Sequence, residues 1–351
     1  MVLALGAAAV GIAEYGYRTR GGVYGLQPNP LGLLLEAAAA LGSLLYAWRA
    51  QSRLRLPLLL ALALTFHLGW LLLHWHLSVP GDGDPLLYQV QGAIGSLRTR
   101  YSAWLAAVVA LWPMNTFFWE FRFDLAPTAL LATGLLLAYR ERWAWSGFVL
   151  GLGTVVKWTP ALSFSALAAW CVAGGHRRPA GRLVGGFLAG VLLIYLPFLA
   201  WSPTELWAAY SQQGVRSVTG ESLWYLPLRL FGFVGPIPDF AAIPAGAPQW
   251  ADVLAAVVQA LLVLSVIAVA ALAHQKGAAV AAAAVAPALF LVVNRIFSPQ
   301  FLVLLLAAWA ISAALLVRSK REQLLLGLAM MAATLANAFV YPHVLWNRDV
   351  T

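Results

Sequence analysis

The sequence predicts an all-α fold, a polytopic transmembrane bundle of about ten to twelve helices with two long extracytoplasmic loops. Three observations carry that expectation. The 351 residues are 62% hydrophobic and only 10% charged, with a mean hydropathy of +0.79. Soluble domains run at about 25% charged. Apolar runs of helix length follow one another with short polar breaks, which is how a chain fills a bilayer with backbone-satisfied helices. Basic residues gather in alternate breaks, as the positive-inside rule requires. The whole of 1–351 therefore reads as a single transmembrane domain, with no soluble domain and no low-complexity linker.

Composition also excludes function classes. The net charge of +9 does not indicate nucleic acid, because the cations sit in short loops where they set topology and meet anionic headgroups. The lone cysteine, Cys171, lies in an apolar run. It offers neither a disulfide framework nor a thiolate metal site. The 16 Trp and 11 Tyr suit interfacial belts.

In chain order, Met1 to Ala13 is apolar, short and without a basic leader, which argues against a cleaved signal peptide. It reads as the tail of a helix. Leu31–Trp48 and Leu56–Trp75 are the next helices, separated by Arg49, Arg53 and Arg55. Glu36, inside the first, reads as a protonated or paired carboxyl. His67 and His74 share a helix face but His76 does not, so a zinc site with three converging ligands is not expected. Ser78 to Arg100 is the first long loop. Helices are then expected over Tyr101–Phe118, Leu125–Tyr139, Trp143–Val156, Ala161–Val172 and Leu183–Trp201. Ser202 to Trp250 is the second long loop. Asp252–Ala273, Gly277–Val293, Phe301–Val317 and Gln323–Tyr341 complete the bundle.

Charge placement orients these segments. Arg140/Arg142, Arg177/Arg178/Arg182, Lys276 and Arg318/Lys320/Arg321 fall in alternate connections and are expected to face the cytoplasm. The other connections hold Glu120, Asp124, Glu205, Glu221 and Asp239. Alternation from Glu120 onward leaves the C-terminus outside, in a plasma (inner) membrane. Before residue 101 the alternation fails by one crossing. Either a half-crossing hides at Pro85 to Leu97 or one helix is missing.

The most informative stretch is Glu120 to Pro160. Arg122 and Asp124 stand at the mouth of one helix and Lys157 at the mouth of the next, with the basic hinge Arg140-Glu141-Arg142 between. Both helices are about fifteen residues, short of the roughly 20 for a perpendicular crossing. Their charges are thus expected at the membrane boundary, facing protein or a water-filled cavity. The pattern R-F-D-x-x-P (Arg122, Phe123, Asp124, Pro127) followed by G-x-x-L-G-L-G-x-x-x-K-x-x-P (Gly147, Leu150, Gly151, Leu152, Gly153, Lys157, Pro160) resembles the polytopic glycosyltransferases of family 87. These are polyprenyl-phosphate-sugar-dependent mannosyltransferases and relatives with the GT-C fold.

Other polar islands extend the resemblance over roughly Ser78 to His343. Asp84-Pro-Leu-Leu-Tyr88 is similar to the D-x-x-x-Y of the family's first extracytoplasmic loop, where an aspartate is the usual candidate for the base that deprotonates the acceptor hydroxyl. An alcohol nucleophile gains from a placed carboxylate, and a leaving lipid phosphate needs no acid. Asp82 and Asp84 also offer a divalent-cation clamp, and a plain Gly/Asp/Pro turn is the competing reading. The family's Pro-rich entry into another helix after this loop is not evident. Tyr210 to Trp224 resembles the family's aromatic, Gln/Arg and Glu-Ser pattern, through Gln213, Arg216, Glu221 and Ser222. An amphipathic interfacial helix, with Arg216 reaching headgroups, competes with it. Asn294-Arg295-Ile-Phe-Ser298-Pro-Gln300-Phe301 resembles N-K-V-x-S-P-Q-Y, and a helix-breaking turn at Pro299 is compatible with that. Some relatives carry histidines after this Ser-Pro; this chain does not. His343 reads as a boundary residue.

The resemblance implies inverting transfer of a hexose, mannose first, from a polyprenyl-phosphate donor to a lipid or glycan acceptor. It implies Asp84, Asp82 or Asp124 as base. It implies Tyr88, Arg122, Lys157, Gln213, Arg216, Glu221, Ser222, Asn294, Arg295, Ser298 and Gln300 as substrate ligands. No cofactor is called for, and a divalent metal at Asp82 and Asp84 is left as an open alternative. The partners are the lipid donor, the acceptor and membrane lipids, with no nucleic acid. A transporter or flippase for a lipid-linked sugar, and a non-catalytic relative, are the rival readings; inverted repeats would favour the transporter, and none is evident.

Overall fold

Short-range chemistry sets most helix ends. A computed structural model describes residues 83–99, 102, 105, 106, 109, 124–214, 216–235, 246–317 and 319–340. The expected helices Leu31–Trp48 and Leu56–Trp75, with Glu36, His67, His74 and His76, lie outside the described residues, as does His343. Regular structure among the described residues is entirely helical. In chain order the helices are α1 (Gly83–Gly95), α2 (Leu125–Tyr139), α3 (Trp143–Val156), α4 (Pro160–Ala173), α5 (Arg177–Trp201), α6 (Pro203–Gly214), α7 (Tyr225–Leu230), α8 (Gln249–Ala271), α9 (Lys276–Val292), α10 (Leu302–Leu316) and α11 (Lys320–Val340). A 3₁₀ turn, Pro299–Phe301, precedes α10.

The expected bounds of α2 and α3 match the structure. Three differences are informative. Helix α5 starts at Arg177 instead of Leu183, because Pro179 sits in the first turn, where its missing N–H has no partner to lose. The stretch read as the first long loop contains α1, at the place considered for a half-crossing. The stretch read as the second long loop contains α6 and α7.

The chain divides into two compact units, residues 1–125 with 302–351, and residues 126–301. In the first unit α10 packs on α1 and α11. Helix α10 is apolar on every side and buried over most of its length, from Leu302 to Ala314, as a helix without a polar face must be.

In the second unit, α3 and α5 run parallel in close backbone contact. A Cβ on Gly147 would lie 2.0 Å from the Leu183 carbonyl oxygen, and one on Gly186 2.0 Å from that of Ala144. Gly151 and Gly190 repeat the contact one turn further on. Two small-xxx-small stripes thus bring the axes together, the device of helix pairs in lipid. Helix α4 runs back antiparallel to the pair and packs on both. Ser163 Oγ donates to the Ala283 carbonyl at 2.6 Å, joining α4 to α9, and Gln259 Nε2 donates to the Phe290 carbonyl at 2.9 Å, joining α8 to α9.

These contacts sort the connections of this unit into two ends. At the hinge end, Trp143 stacks on Trp170, Trp170 Nε1 donates to the Ala273 carbonyl, and Lys276 pairs with Glu141. Arg140, Arg142, Arg177, Arg178 and Lys276 all belong to this end. At the opposite end, Trp158 meets Phe290 edge to face and Lys157 meets Phe301.

Helices α5 and α8 are long and apolar enough to cross a membrane. Both turn large apolar side chains outward, among them Leu188, Leu193, Leu196 and Phe198 on α5 and Val253, Val257, Leu261 and Leu264 on α8. An exposed apolar surface of that extent is a binding surface for something apolar.

Candidate functional site

The opposite end of the second unit gathers the polar islands. Helix α3 stops at Lys157, whose extended backbone (φ −155°, ψ 123°) ends the helical ladder. Pro160 opens α4 as its first residue. The reversal leaves Lys157 half-buried, with Nζ 4.0 Å from the centre of the Phe301 ring. That is cation–π geometry, and it places the amine against the turn that leads into α10.

The second and third polar islands are sewn together. Thr219 N–H donates to the Arg295 carbonyl at 2.9 Å. Phe297 N–H donates back to Thr219 Oγ1 at 3.3 Å. Trp224 Nε1 donates to the Val293 carbonyl at 2.8 Å, where α9 ends. Asn294 Oδ1 accepts from Ile296 N–H at 3.3 Å, tightening the same turn. These bonds satisfy backbone groups that no helix uses, as buried irregular backbone demands. They fix Arg295, Ser298 and Gln300 beside the strap formed by residues 216–224.

Within the strap, Ser222 N–H and Oγ both bond the Thr219 carbonyl, closing a turn over Gly220 and Glu221. Ser222 is buried by this role. Glu221 is largely buried, and its Oε2 is sealed from solvent and meets no hydrogen-bond donor among the described residues. Burial pushes its carboxyl up to about 7 from the ordinary 4.5, since desolvation disfavours the charged form. Arg216 is exposed at the start of the strap.

Sequence reasoning missed the anchor of this strap. Asp252, in the first turn of α8, accepts the one proton of Ser217 Oγ, which lies 3.0 and 2.8 Å from its two carboxylate oxygens, and accepts from Val218 N–H at 2.9 Å. Its signal was an acid in a first helical turn, which favours negative charge. Nothing local pointed to its partners. Thr219, the residue that joins the islands, was likewise not singled out.

The structure thus brings Arg216, Glu221, Ser222, Asn294, Arg295, Ser298 and Gln300 to one end, with Lys157 joined through Phe301. Gln213 lies on α6, and its side chain is outside the described residues. Asp84 and Tyr88 fall on α1 in the first unit, Asp84 in the first turn. Asp124 belongs to the same unit and is buried at 3% exposure, just before α2. Asp82 and Arg122 lie outside the described residues. Among the described residues no three His, Cys, Asp or Glu side chains gather as a metal-ion site.

Chemically, the assembled end offers cations and amide donors to an anion, and hydroxyl, amide and carboxyl groups to a polyol. Guanidinium groups are matched to phosphate oxygens. No family model, no curated protein and no solved structure matches the chain.

Proposed function

We propose that this chain is a multi-pass integral membrane glycosyltransferase of GT-C type. It transfers a hexose, mannose in the first instance, from a polyprenyl-phosphate donor to a lipid or glycan acceptor on the extracytoplasmic side of the plasma (inner) membrane. The observation that carries this reading is the joining of the two polar islands through Thr219, Arg295 and Trp224. At membrane depth irregular backbone is tolerated where it is buried in protein or lines a cavity, and a cavity at that place is what the proposed site requires. The outward apolar faces of α5 and α8 suit lipid, and the cations of the hinge end suit a cytoplasmic face, which supports a reading with the islands outside.

In this reading Lys157, Arg216 and Arg295 hold the donor phosphate, with Arg122 as a further ligand. Asn294, Ser298, Gln300 and Glu221 meet sugar hydroxyls, and Tyr88 and Gln213 complete the set. Asp84 takes the proton of the acceptor hydroxyl as its oxygen bonds the anomeric carbon. The bond from that carbon to the phosphate oxygen breaks, and polyprenyl phosphate leaves with the electron pair. Asp124 is next in line as base, then Asp82.

The test is transfer from labelled polyprenyl-phosphate-mannose in membranes holding the protein, beside Asp84→Asn and Lys157→Ala. Loss of transfer in Asp84→Asn, with the protein folded and inserted, supports the base. Transfer unaffected by Asp84→Asn moves the chemistry to Asp124. Absence of transfer for every version, across several donor sugars and acceptors, overturns the enzyme reading in favour of a lipid-sugar transporter or a non-catalytic relative.

A further inference from the structure

The strap continues into a segment that the transferase reading does not use. Residues 223–235 fold over a small core of their own, with Leu228 and Val234 buried against Val218 and Ala251, and Trp224 and Tyr225 packed on them. Helix α7 ends at Leu230, and Gly232 just beyond it takes the left-handed region (φ 76°). There Phe233 N–H returns to the Leu228 carbonyl at 2.8 Å and Gly232 N–H to that of Arg229 at 3.2 Å. This paired-bond cap favours a residue without a Cβ penalty.

The cap turns Leu223, Leu226, Leu230, Phe231 and Phe233 outward; Leu230 is 74% and Phe231 78% exposed. A loop that met only water would not present five large apolar side chains from so short a segment. The patch is continuous with the outer surface of α8. The Phe233 ring meets Trp250 edge to face at 5.1 Å, and Trp250 heads the outward row of Val253, Val257 and Leu261. Trp201, 86% exposed, ends α5, the other helix long enough to cross a membrane. Arg229, also exposed, stands in the last turn of α7. Its Nη1 donates to the Val234 carbonyl at 3.4 Å, and the other guanidinium donors can reach phosphate while the stem lies along apolar surface.

We propose that Leu223–Gly235 is a wedge lying in the headgroup–acyl boundary of the phospholipid bilayer that α5 and α8 face, with Leu226, Leu230, Phe231 and Phe233 immersed. Amphipathic segments of this kind bury their apolar side about 5–10 Å below the headgroups. Because Trp224 ties the wedge to the end of α9, the bilayer then holds the polar strap at headgroup level. The inference is independent of glycosyl transfer; it rests on the membrane reading of α5 and α8.

The experiment uses the full chain with Cys171, its one cysteine, replaced by alanine. An environment-sensitive NBD label is placed on a single cysteine at Phe231, at Leu226 or at Leu193, the last as a reference on α5 (58% exposed). The protein is reconstituted in phosphatidylcholine–phosphatidylglycerol vesicles carrying nitroxides at shallow or deep acyl positions. The expected result is blue-shifted emission at all three sites, quenched by deep nitroxide at Leu193 and by shallow nitroxide at Phe231 and Leu226. Quenching at Leu193 with iodide-accessible, red-shifted emission at Phe231 and Leu226 overturns the wedge and leaves the membrane reading standing. Blue-shifted emission at Phe231 and Leu226 that neither nitroxide nor iodide reaches also overturns it, since protein then covers the face. Leu193 untouched by both nitroxides removes the membrane reading and the wedge with it.

Discussion

At the hinge end of the second unit the backbone groups of the chain reversals are capped within a few residues, and only side chains (Trp170 to Ala273, Lys276 to Glu141) reach far along the chain; at the end that carries the polar islands, the backbone groups themselves are tied to distant segments. Helix α2 ends with Arg142 N–H on the Leu137 carbonyl and Glu141 N–H on that of Ala138. Helix α4 repeats this with His176 on Cys171 and Gly175 on Val172. Both are six-to-one and five-to-two caps over a left-handed residue. At the other end Thr219, Phe297, Trp224 and Asp252 bond across long sequence separations. The hinge end needs no distant partner for its backbone, because each reversal satisfies its own helix cap. The island end holds irregular backbone and polar side chains in a set place, and such construction is what a site requires.

The largest effect expected from breaking this contrast is on the backbone contact that holds α3 to α5 near the hinge end. In Gly147→Ala the new Cβ would meet the Leu183 carbonyl oxygen, a backbone atom that cannot rotate away. The helices must separate, at a cost of about 3 kcal/mol. Thermal unfolding in detergent, followed by tryptophan fluorescence, should fall well below wild type. A change at Gly181, around which a Cβ meets open space, should leave it nearly unmoved.

Next comes Asp252→Ala, which leaves two strap donors without their acceptor, the Ser217 hydroxyl shared by both carboxylate oxygens and the Val218 N–H. Hydrogen bonds to a charged group contribute roughly 1.5–3 kcal/mol each at most, and the site is only partly buried, so a total loss of about 2 kcal/mol is expected. The informative readout is local. Proteolysis between α6 and α8 should accelerate while the α3–α5 region stays protected. Uniform loss of protection would mean that the strap is not a separate layer of stability.

These two cases show what the sequence could reveal. Helices α2 and α3 were legible because Pro127, the Arg140–Arg142 hinge and Pro160 punctuate an otherwise apolar run. Gly147 and Gly151 stood out as a motif, but their partners on α5 did not, since glycines facing open space look the same in sequence. Ser202-Pro-Thr-Glu205 carried a helix-start signature for α6, overshadowed by the polar residues after it. The bond from Thr219 to Arg295 had no local signal at all. Backbone pairing over such a separation depends on which helices become neighbours, and apolar runs of one kind do not encode that. The resemblance to family 87 singled out Arg295 and Glu221 but not Thr219 or Asp252, because it matched residue types suited to substrate and passed over those that hold the backbone.

Glu221 separates the ends by pH. Its carboxyl is raised to about 7 in the folded chain by burial, so the folded strap favours the neutral form. Its stabilising contribution is fully present below about 4.5, declines as the unfolded chain ionises, and is lost as pH rises through 7. Protection of the strap from proteolysis should therefore decrease between these values. Glu221→Gln, which stays neutral, should flatten that dependence without altering the hinge end. The effect should be smaller than that of Asp252→Ala, because Glu221 retains some contact with solvent and makes no bond that the substitution breaks.

The smallest effect belongs to Glu141. Its backbone lies in the left-handed region (φ 62°), where Gly175 serves at the equivalent cap of α4. A hydrogen bond from Lys276, followed by that cation's charge, lowers its carboxyl below the usual range. The pair is exposed, though, and exposed pairs contribute little and are screened by salt. In Glu141→Gly the ion pair is lost while left-handed strain is relieved, and the two changes oppose one another. Unfolding temperature at low salt should stay close to wild type. At high salt, where the pair is already screened, the glycine variant should be equal to wild type or slightly more stable. A clear loss at both salt concentrations would show that the Glu141–Lys276 contact organises the hinges, and the contrast between a locally closed end and a long-range one would fail there.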